Sequence, residues 1–304
     1  MQQSAQIINA IATPTINEPT RDLYQKYNLE EETNRIAEHY EVNPDFFNCV
    51  TGGEWNLYSC SMWEDGFSLT QAQEKKLDEF ARIMKLKPGM RILEVGFGWG
   101  GPLVYLCHKY GVIGHGITVS PMAIPIAEAR AKKYGANATF EVVHWKNLRT
   151  LDKYDAIYSD EVLVHINDLS GFFKKANQLL KPGGVMAHKE LHFSHSQHAH
   201  ALDSLSNHIN KNFSYTGNYR TLKDELTMLD DNNFRLTDIV DIPATDYKKT
   251  INEHWLKNLN ENKERLTKMT SPQHIHDFKL YLKGICRIFS ADVFGIHIVG
   301  SRKI

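Results

Sequence analysis

The sequence predicts an α/β protein built on a doubly wound, mostly parallel, seven-stranded sheet. Three observations predict it. Beyond Pro88, short β-rich apolar runs alternate with helical stretches, which is the order of successive βαβ units. The first run, RILEVGFGWGG at 91–101, passes directly into a glycine turn, as the first strand of a ligand-binding open sheet does. The chain shows no internal repeat, no paired-cysteine framework and no run of about 20 apolar residues that could span a bilayer.

Each element follows from local pattern. Residues 1 to about 20 are polar and weakly patterned, so a frayed start is expected. Asp22 to Phe47 has the spacing of amphipathic helices, and Ser68 with Gln71 forms a capping-box pattern opening the helix LTQAQEKKLDEFARIM. That helix is expected to pack beside the first strand. The strands are then RILEVGF, VIGHGITVS, TFEVVHW, YDAIYSDE and VMAHKELHF. FRLTDIVDI and FGIHIVGSRK supply two late strands, with an antiparallel edge pair as one arrangement. Helices fall at PLVYLCHKYG, IAEARAKKYG and GFFKKANQLLK, the last ending in the turn PGG. The stretch at about 195–230 reads as a helical lid over the active-site edge. The division is an N-terminal helical segment over 1–85, packing on a core over 86–304 that carries this lid.

Composition narrows function. With 304 residues, 42% of them hydrophobic, one substantial core is expected. Lys and Arg number 35 against 36 Asp and Glu, so the chain lacks the cationic excess that releases counterions from nucleic acid. Its start lacks the basic-then-apolar order of a signal peptide, which predicts a cytoplasmic protein with no stable membrane insertion. Cys49, Cys60, Cys107 and Cys286 are scattered, signalling neither a disulfide nor a zinc cluster.

The glycine turn implies a ligand beyond the strand ends, because a backbone without Cβ atoms admits close approach. A nicotinamide would call for an acid at the end of the second strand to hold its ribose, and GHGITVS offers only Thr118 and Ser120. Glu94, just before the glycines, suits a charged cofactor oriented through the turn, as in S-adenosylmethionine (SAM) enzymes. A nicotinamide site and a purely structural turn stay open on these residues alone.

HYEVNPDFF, YSCSMW, the helix and glycine turn over 69–101, GITVS, DYKKTINEHW and YLKGICRIF, in that order, resemble the cyclopropane-fatty-acid synthase and mycolic-acid methyltransferase family over roughly 37–304. The resemblance implies a class I, Rossmann-like SAM-dependent methyltransferase that releases S-adenosylhomocysteine (SAH) and acts on a hydrophobic small-molecule acceptor. It places Tyr58, Ser59, Gly96 and Gly98 at the methionine end and Trp145 at the adenine. Glu94, Thr118, Val119 and Asp160 complete the expected cofactor set. Two residues depart from the family: Lys146 stands in place of an acid and Ala123 in place of a glutamine.

The resemblance also implies chemistry. An alkene that attacks a sulfonium methyl is left cationic, and aromatic faces with a placed base then direct the charge. The family's cyclopropane makers hold bicarbonate as that base, through a Cys, a Glu-His pair, a strand histidine and a late Tyr. Cys60, His165 and Tyr247 match. Val164 replaces the acid and Lys189 the strand histidine, with His188 one place off. A weakened bicarbonate site is therefore expected, with methylation of a carbon and another fate for the cation. Alkaloid N-methyltransferase relatives carry E-x-x-E-H here, and Glu161 with His165 in EVLVH keeps the first acid and the histidine. These two form a candidate acid/base pair; the bland alternative is a helix cap and a packing histidine.

Among the aromatics, Tyr40, Tyr58 and Tyr247 hold motif positions. His188, Glu190 and His192 alternate on the fifth strand, and Glu190 and His192 are expected to point toward the acceptor, with His195, His198 and His200 on the lid. No metal is expected, because no ligand spacing stands out. Mg2+ enters only for a diphosphate acceptor, with Arg220, Lys248 and Lys249 supplying charge. The functional expectation is C-methylation of an alkene in an isoprenoid or acyl chain; the alternatives are N-methylation of a small amine, cyclopropane closure, and SAM binding without catalysis.

Overall fold

The computed structural model describes residues 28–40, 43–198 and 217–304. Its sheet runs β3-β2-β1-β4-β5-β8-β7, with a two-residue strand β6 (Arg220–Thr221) beside β5. Strands β1 (Arg91–Val95), β2 (Ile113–Thr118), β3 (Ala138–Val142), β4 (Tyr154–Asp160) and β5 (Leu180–Phe193) pair in parallel. β8 (Phe294–Lys303) lies antiparallel between β5 and β7 (Phe234–Ile242), so the late strands do form the antiparallel end of a mostly parallel sheet. The turn PGG is a register shift within β5.

Alternation along the strands separates two cores. Ile92 joins a core with helices α2 (Pro44–Thr51), α3 (Leu69–Met84) and α4 (Gly101–Tyr110). Leu93 faces the other way, onto helix α6 (Leu169–Leu179) and helix α7 (Leu222–Asp231). Helix α1 (Leu29–Tyr40) precedes these, and α5 (Ala123–Tyr134) links β2 to β3.

The predicted capping box is present: the Gln71 amide donates to Ser68 Oγ at 3.3 Å and Ser68 N–H donates to Gln71 Oε1 at 2.9 Å. The helix it opens, α3, packs on β5, β8 and α4 and shares a core with Ile92 of β1.

Of the stretch expected as a lid, residues 199–216, with His200, lie outside the described residues; in the remainder β6 pairs with β5, and α7 packs on β7 and α6. The described cover on the Tyr58 side is the insertion between β7 and β8. It comprises α8 (Ala244–Lys249), a π-helical turn (Thr250–Trp255), α9 (Leu256–Glu261), α10 (Lys263–Met269) and α11 (Pro272–Ser290). Ring contacts seat it: Tyr58 lies 5.3 Å from Trp255 and 6.3 Å from Phe278. Among the described residues no helix is long and apolar enough to cross a membrane.

Candidate active site

The strand order reverses between β1 and β4, and an open pocket lies beyond their carboxyl ends. The glycine turn makes its floor. Gly96 has φ +75°, and a Cβ there would meet Val162 Cγ2 at 2.6 Å. Gly98 has φ +53°, and a Cβ there would meet no protein atom within 4 Å, so the turn borders open space. Glu94, the fourth residue of β1, is buried and lines the pocket just before the turn. Burial pushes its carboxyl well above the usual range.

All of the cofactor candidates line this pocket: Tyr58, Ser59, Glu94, Gly96, Gly98, Thr118, Val119, Trp145 and Asp160. Glu161 and His165 line it too. Helix α1 contributes Glu32 and Ile36, which the sequence did not nominate. Glu32 is buried, with Oε1 3.1 Å from His144 Nε2, and His144 also lines the pocket. Trp145 stands edge-on to Phe172 at 5.3 Å. Tyr40 ends α1, and its side chain lies outside the described residues.

A buried charge cluster adjoins the pocket. Lys76 on α3 and Lys189 on β5 are wholly buried. Lys76 Nζ donates to Asp160 Oδ2 at 2.6 Å and to Ser59 Oγ, and Ser59 Oγ in turn lies 2.6 Å from Asp160 Oδ2. Lys189 Nζ lies 3.3 Å from Asp160 Oδ1 and contacts Glu161 Oε1. Burial alone would raise the Asp160 carboxyl, but the two ammonium groups overcome it and hold it below the ordinary value. Lys76 is depressed by burial, against the pull of Asp160. In Lys189, burial acts downward but is outweighed by Glu161 and Asp160, and its ammonium is held above the ordinary range.

Glu161 is the meeting point of this cluster. Its φ of +56° is left-handed, which is uncommon for a residue with a side chain. The Cys60 amide donates to its Oε1 at 3.0 Å, and the Tyr247 hydroxyl donates to its Oε2 at 2.9 Å. Tyr247 and the Cys60 backbone thus reach the site, whereas the Cys60 thiol is directed to the Ser61 carbonyl at 3.2 Å and burial keeps it protonated. Val164 is buried, and Lys189 binds a carboxylate of the chain itself.

Two nominated catalytic residues are placed elsewhere. With Lys189 facing Glu161, pleat alternation sends His188, Glu190 and His192 to the opposite face of the sheet. There Glu190 accepts the Leu163 and Val164 amides at 3.2 and 3.1 Å. His192 Nε2 lies 3.0 Å from Glu225 Oε1, which also lies 2.7 Å from His188 Nε2. His192 Nδ1 is 3.0 Å from His297 Nδ1. Neither Glu190 nor His192 lines the pocket. Arg220, nominated for a diphosphate, donates to the carbonyls of Leu163, Asn218 and Ile166 at 3.2, 3.0 and 2.8 Å. Lys249 sits over the Trp63 ring at 4.5 Å. Among the described residues no group of His, Cys, Asp and Glu could hold a metal ion.

Lys76 was missed outright. Its signal was present in the helical period, which sets it between Gln73 and Phe80 on the buried stripe of α3.

Comparison with known proteins agrees with this geometry. The family model for mycolic acid cyclopropane synthetase matches residues 27–299. The cyclopropane-fatty-acyl-phospholipid synthase of Escherichia coli strain K12 is 32% identical over 150 residues, 49% of this chain and 38% of that protein, so the matched part spans less than half of that relative. A probable fatty acid methyltransferase of Pseudomonas putida is 22% identical over 86% of this chain and 67% of its own length. The structure of mycolic acid cyclopropane synthase CmaA1 complexed with SAH and CTAB superposes with a TM-score of 0.83, at 22% identity, over 89% of this chain and 98% of that one. Coclaurine N-methyltransferase bound to N-methylheliamine and SAH superposes with a TM-score of 0.79, at 17% identity, over 99% of this chain and 94% of that one, which shows the shared class I methyltransferase fold. The chain belongs to the mycolic acid cyclopropane synthetase family of S-adenosylmethionine-dependent methyltransferases.

Proposed function

We propose that the pocket binds SAM and that the enzyme transfers its methyl group to an alkene carbon of a hydrophobic acceptor, an isoprenoid or an acyl chain. The pocket suits the cofactor. Trp145 Nε1 and Glu94 Oε2 are buried there without a hydrogen-bond partner among the described residues, and Gly98 faces open space. Tyr58, Ser59, Gly96 and Gly98 would hold the methionine end, Thr118 and Val119 the ribose, and Trp145 the adenine. Bound SAM supplies an electrophilic methyl group on a sulfonium.

The observation that carries the reading is Glu161, a carboxylate held by Cys60, Lys189 and Tyr247 on the pocket wall. An acceptor alkene would take that methyl group with its electron pair, sulfur would keep the C–S pair, and the neighbouring acceptor carbon would be left cationic. Glu161 then takes a proton from the carbon beside it, and the freed C–H pair becomes a new double bond. The Tyr247 hydroxyl binds this carboxylate, and Tyr58, on the pocket wall, offers a ring face that suits a passing cation. Mg2+ enters only for a diphosphate acceptor, and the Arg220 guanidinium is already turned into backbone carbonyls.

A second reading, cyclopropane closure, is favoured by the family membership; there Glu161 would take its proton from the transferred methyl instead. The test is an acceptor screen with methyl-labelled SAM over prenyl diphosphates, unsaturated acyl chains and small amines, with bicarbonate varied. Label in an alkene acceptor, unaffected by added bicarbonate, is expected. Label in amines alone overturns the proposal.

A further inference from the structure

Among the described residues that line the pocket, four are acids: Glu32, Glu94, Asp160 and Glu161. Glu94 belongs to β1, and Asp160 and Glu161, at the end of β4, are held by Lys76 and Lys189. Glu32 comes from elsewhere, on helix α1, and reaches the Trp145 end of the pocket. It is buried, with Oε1 3.1 Å from His144 Nε2, and its Oε2 accepts the Asn167 amide at 3.4 Å. His144 Nδ1 accepts the Lys146 amide at 3.2 Å, so Nε2 carries the ring hydrogen and donates to Glu32. A carboxylate has about four acceptor positions, and these two donors leave room for another. A ligand that takes Glu32 further out of water must offer it such a donor.

Lys146 cannot act in its place. Its Nζ lies 3.7 Å from Asp168 Oδ2 and 5.2 Å from the Trp145 ring, and an ammonium has no lone pair with which to accept. The His144 and Trp145 rings lie 5.4 Å apart, so a purine stacked on the indole comes to rest beside the His144–Glu32 pair. Adenine presents a 6-amino donor on its edge, whereas a 6-oxopurine presents an acceptor there.

We propose that Glu32 reads the edge of the cofactor's base, accepting a hydrogen bond from the adenine 6-amino group and so selecting adenosyl over 6-oxopurine cofactors. The inference rests on the placement of adenine at Trp145. Helix α1 is then part of the cofactor site as well as its cover.

Calorimetry on wild type, E32Q, E32A and W145A compares three ligands: SAH, S-inosylhomocysteine, and the 6-deamino analogue of SAH. Wild type should bind SAH about tenfold or more tighter than either analogue. E32Q still accepts from His144, and its amide can turn an N–H toward a 6-oxo group, so its preference for SAH over S-inosylhomocysteine should fall about tenfold. E32A should bind SAH and the deamino analogue equally. If Glu32 only seats α1 on His144, its variants weaken all three ligands alike and the ratios stay at the wild-type value, which overturns the proposal. Equal binding of SAH and the deamino analogue by wild type overturns it without any variant. E32D keeps a carboxylate one methylene further back; should the neutral variants fold poorly, its preference for SAH should shrink, and an unchanged ratio again overturns the proposal. W145A separates the two readings. If it leaves SAH affinity unchanged while E32Q shifts the ratio, the stack falls and the role of Glu32 stands; if it weakens SAH while the E32Q ratio holds, the stack stands and the role of Glu32 falls.

Discussion

Replacing Lys189 by methionine tests whether the buried cluster acts as one unit. Its ammonium is wholly buried, contacts Glu161 and lies 3.3 Å from Asp160 Oδ1. Without it, two carboxylates share the single cation of Lys76, and one negative charge is left uncompensated in the interior. That loss should cost about 3–5 kcal/mol of stability. Adding Glu161→Gln removes the excess charge and leaves the Lys76–Asp160 pair at 2.6 Å, so the double variant should recover about 1–3 kcal/mol relative to additivity. Urea unfolding of wild type, K189M, E161Q and K189M/E161Q at neutral pH reads the cycle. Asp160, no longer held down by two ammonium groups, should also titrate higher in K189M, which moves its acid-unfolding limb to higher pH. A K189M protein within about 1 kcal/mol of wild type, or singles that simply add, would refute the charge-balance reasoning.

Three further outcomes are expected. Trp145→Ala should weaken SAH binding by about 1–3 kcal/mol, the worth of a base stack, and unchanged calorimetric affinity would contradict the adenine placement. In Glu225, burial acts upward but His192 and His188 outweigh it, so its folded pKa is depressed below the ordinary 4.5. A depressed carboxyl contributes stability that is present above its unfolded pKa and lost as pH falls, so Glu225→Gln should lower stability at neutral pH and flatten its decline below about pH 4.5; unfolding curves between pH 6 and 3 decide this. Ser68→Ala should cost about 1 kcal/mol through loss of the α3 cap, with cofactor binding intact.

What could be read from the sequence was local. The capping box at Ser68, the glycine turn after β1 and the strand and helix alternation each declare themselves within a few residues, and the cofactor candidates come from such motifs. What could not be read depended on partners distant in sequence. The pleat says that His188, Glu190 and His192 share a face, but only the pairing of Lys189 with Glu161 decides which face it is. The charge of Lys76 suggests solvent, and the carboxylate that makes burial tolerable lies 84 residues away. The left-handed backbone of Glu161 leaves no mark, because the signal for that conformation is glycine. The cover between β7 and β8 was visible only as scattered family motifs, whereas the stretch at 195–230 reads as a helical lid.

The most direct test of the central claim is turnover with SAM carrying a fully deuterated methyl group, read by mass spectrometry of the product. Proton loss from the acceptor to Glu161 predicts that all three deuterium atoms remain on the transferred carbon and that a double bond remains in the product. A product that keeps only two, with the double bond consumed, would mean that the methyl carbon itself closed a ring, and would contradict the account.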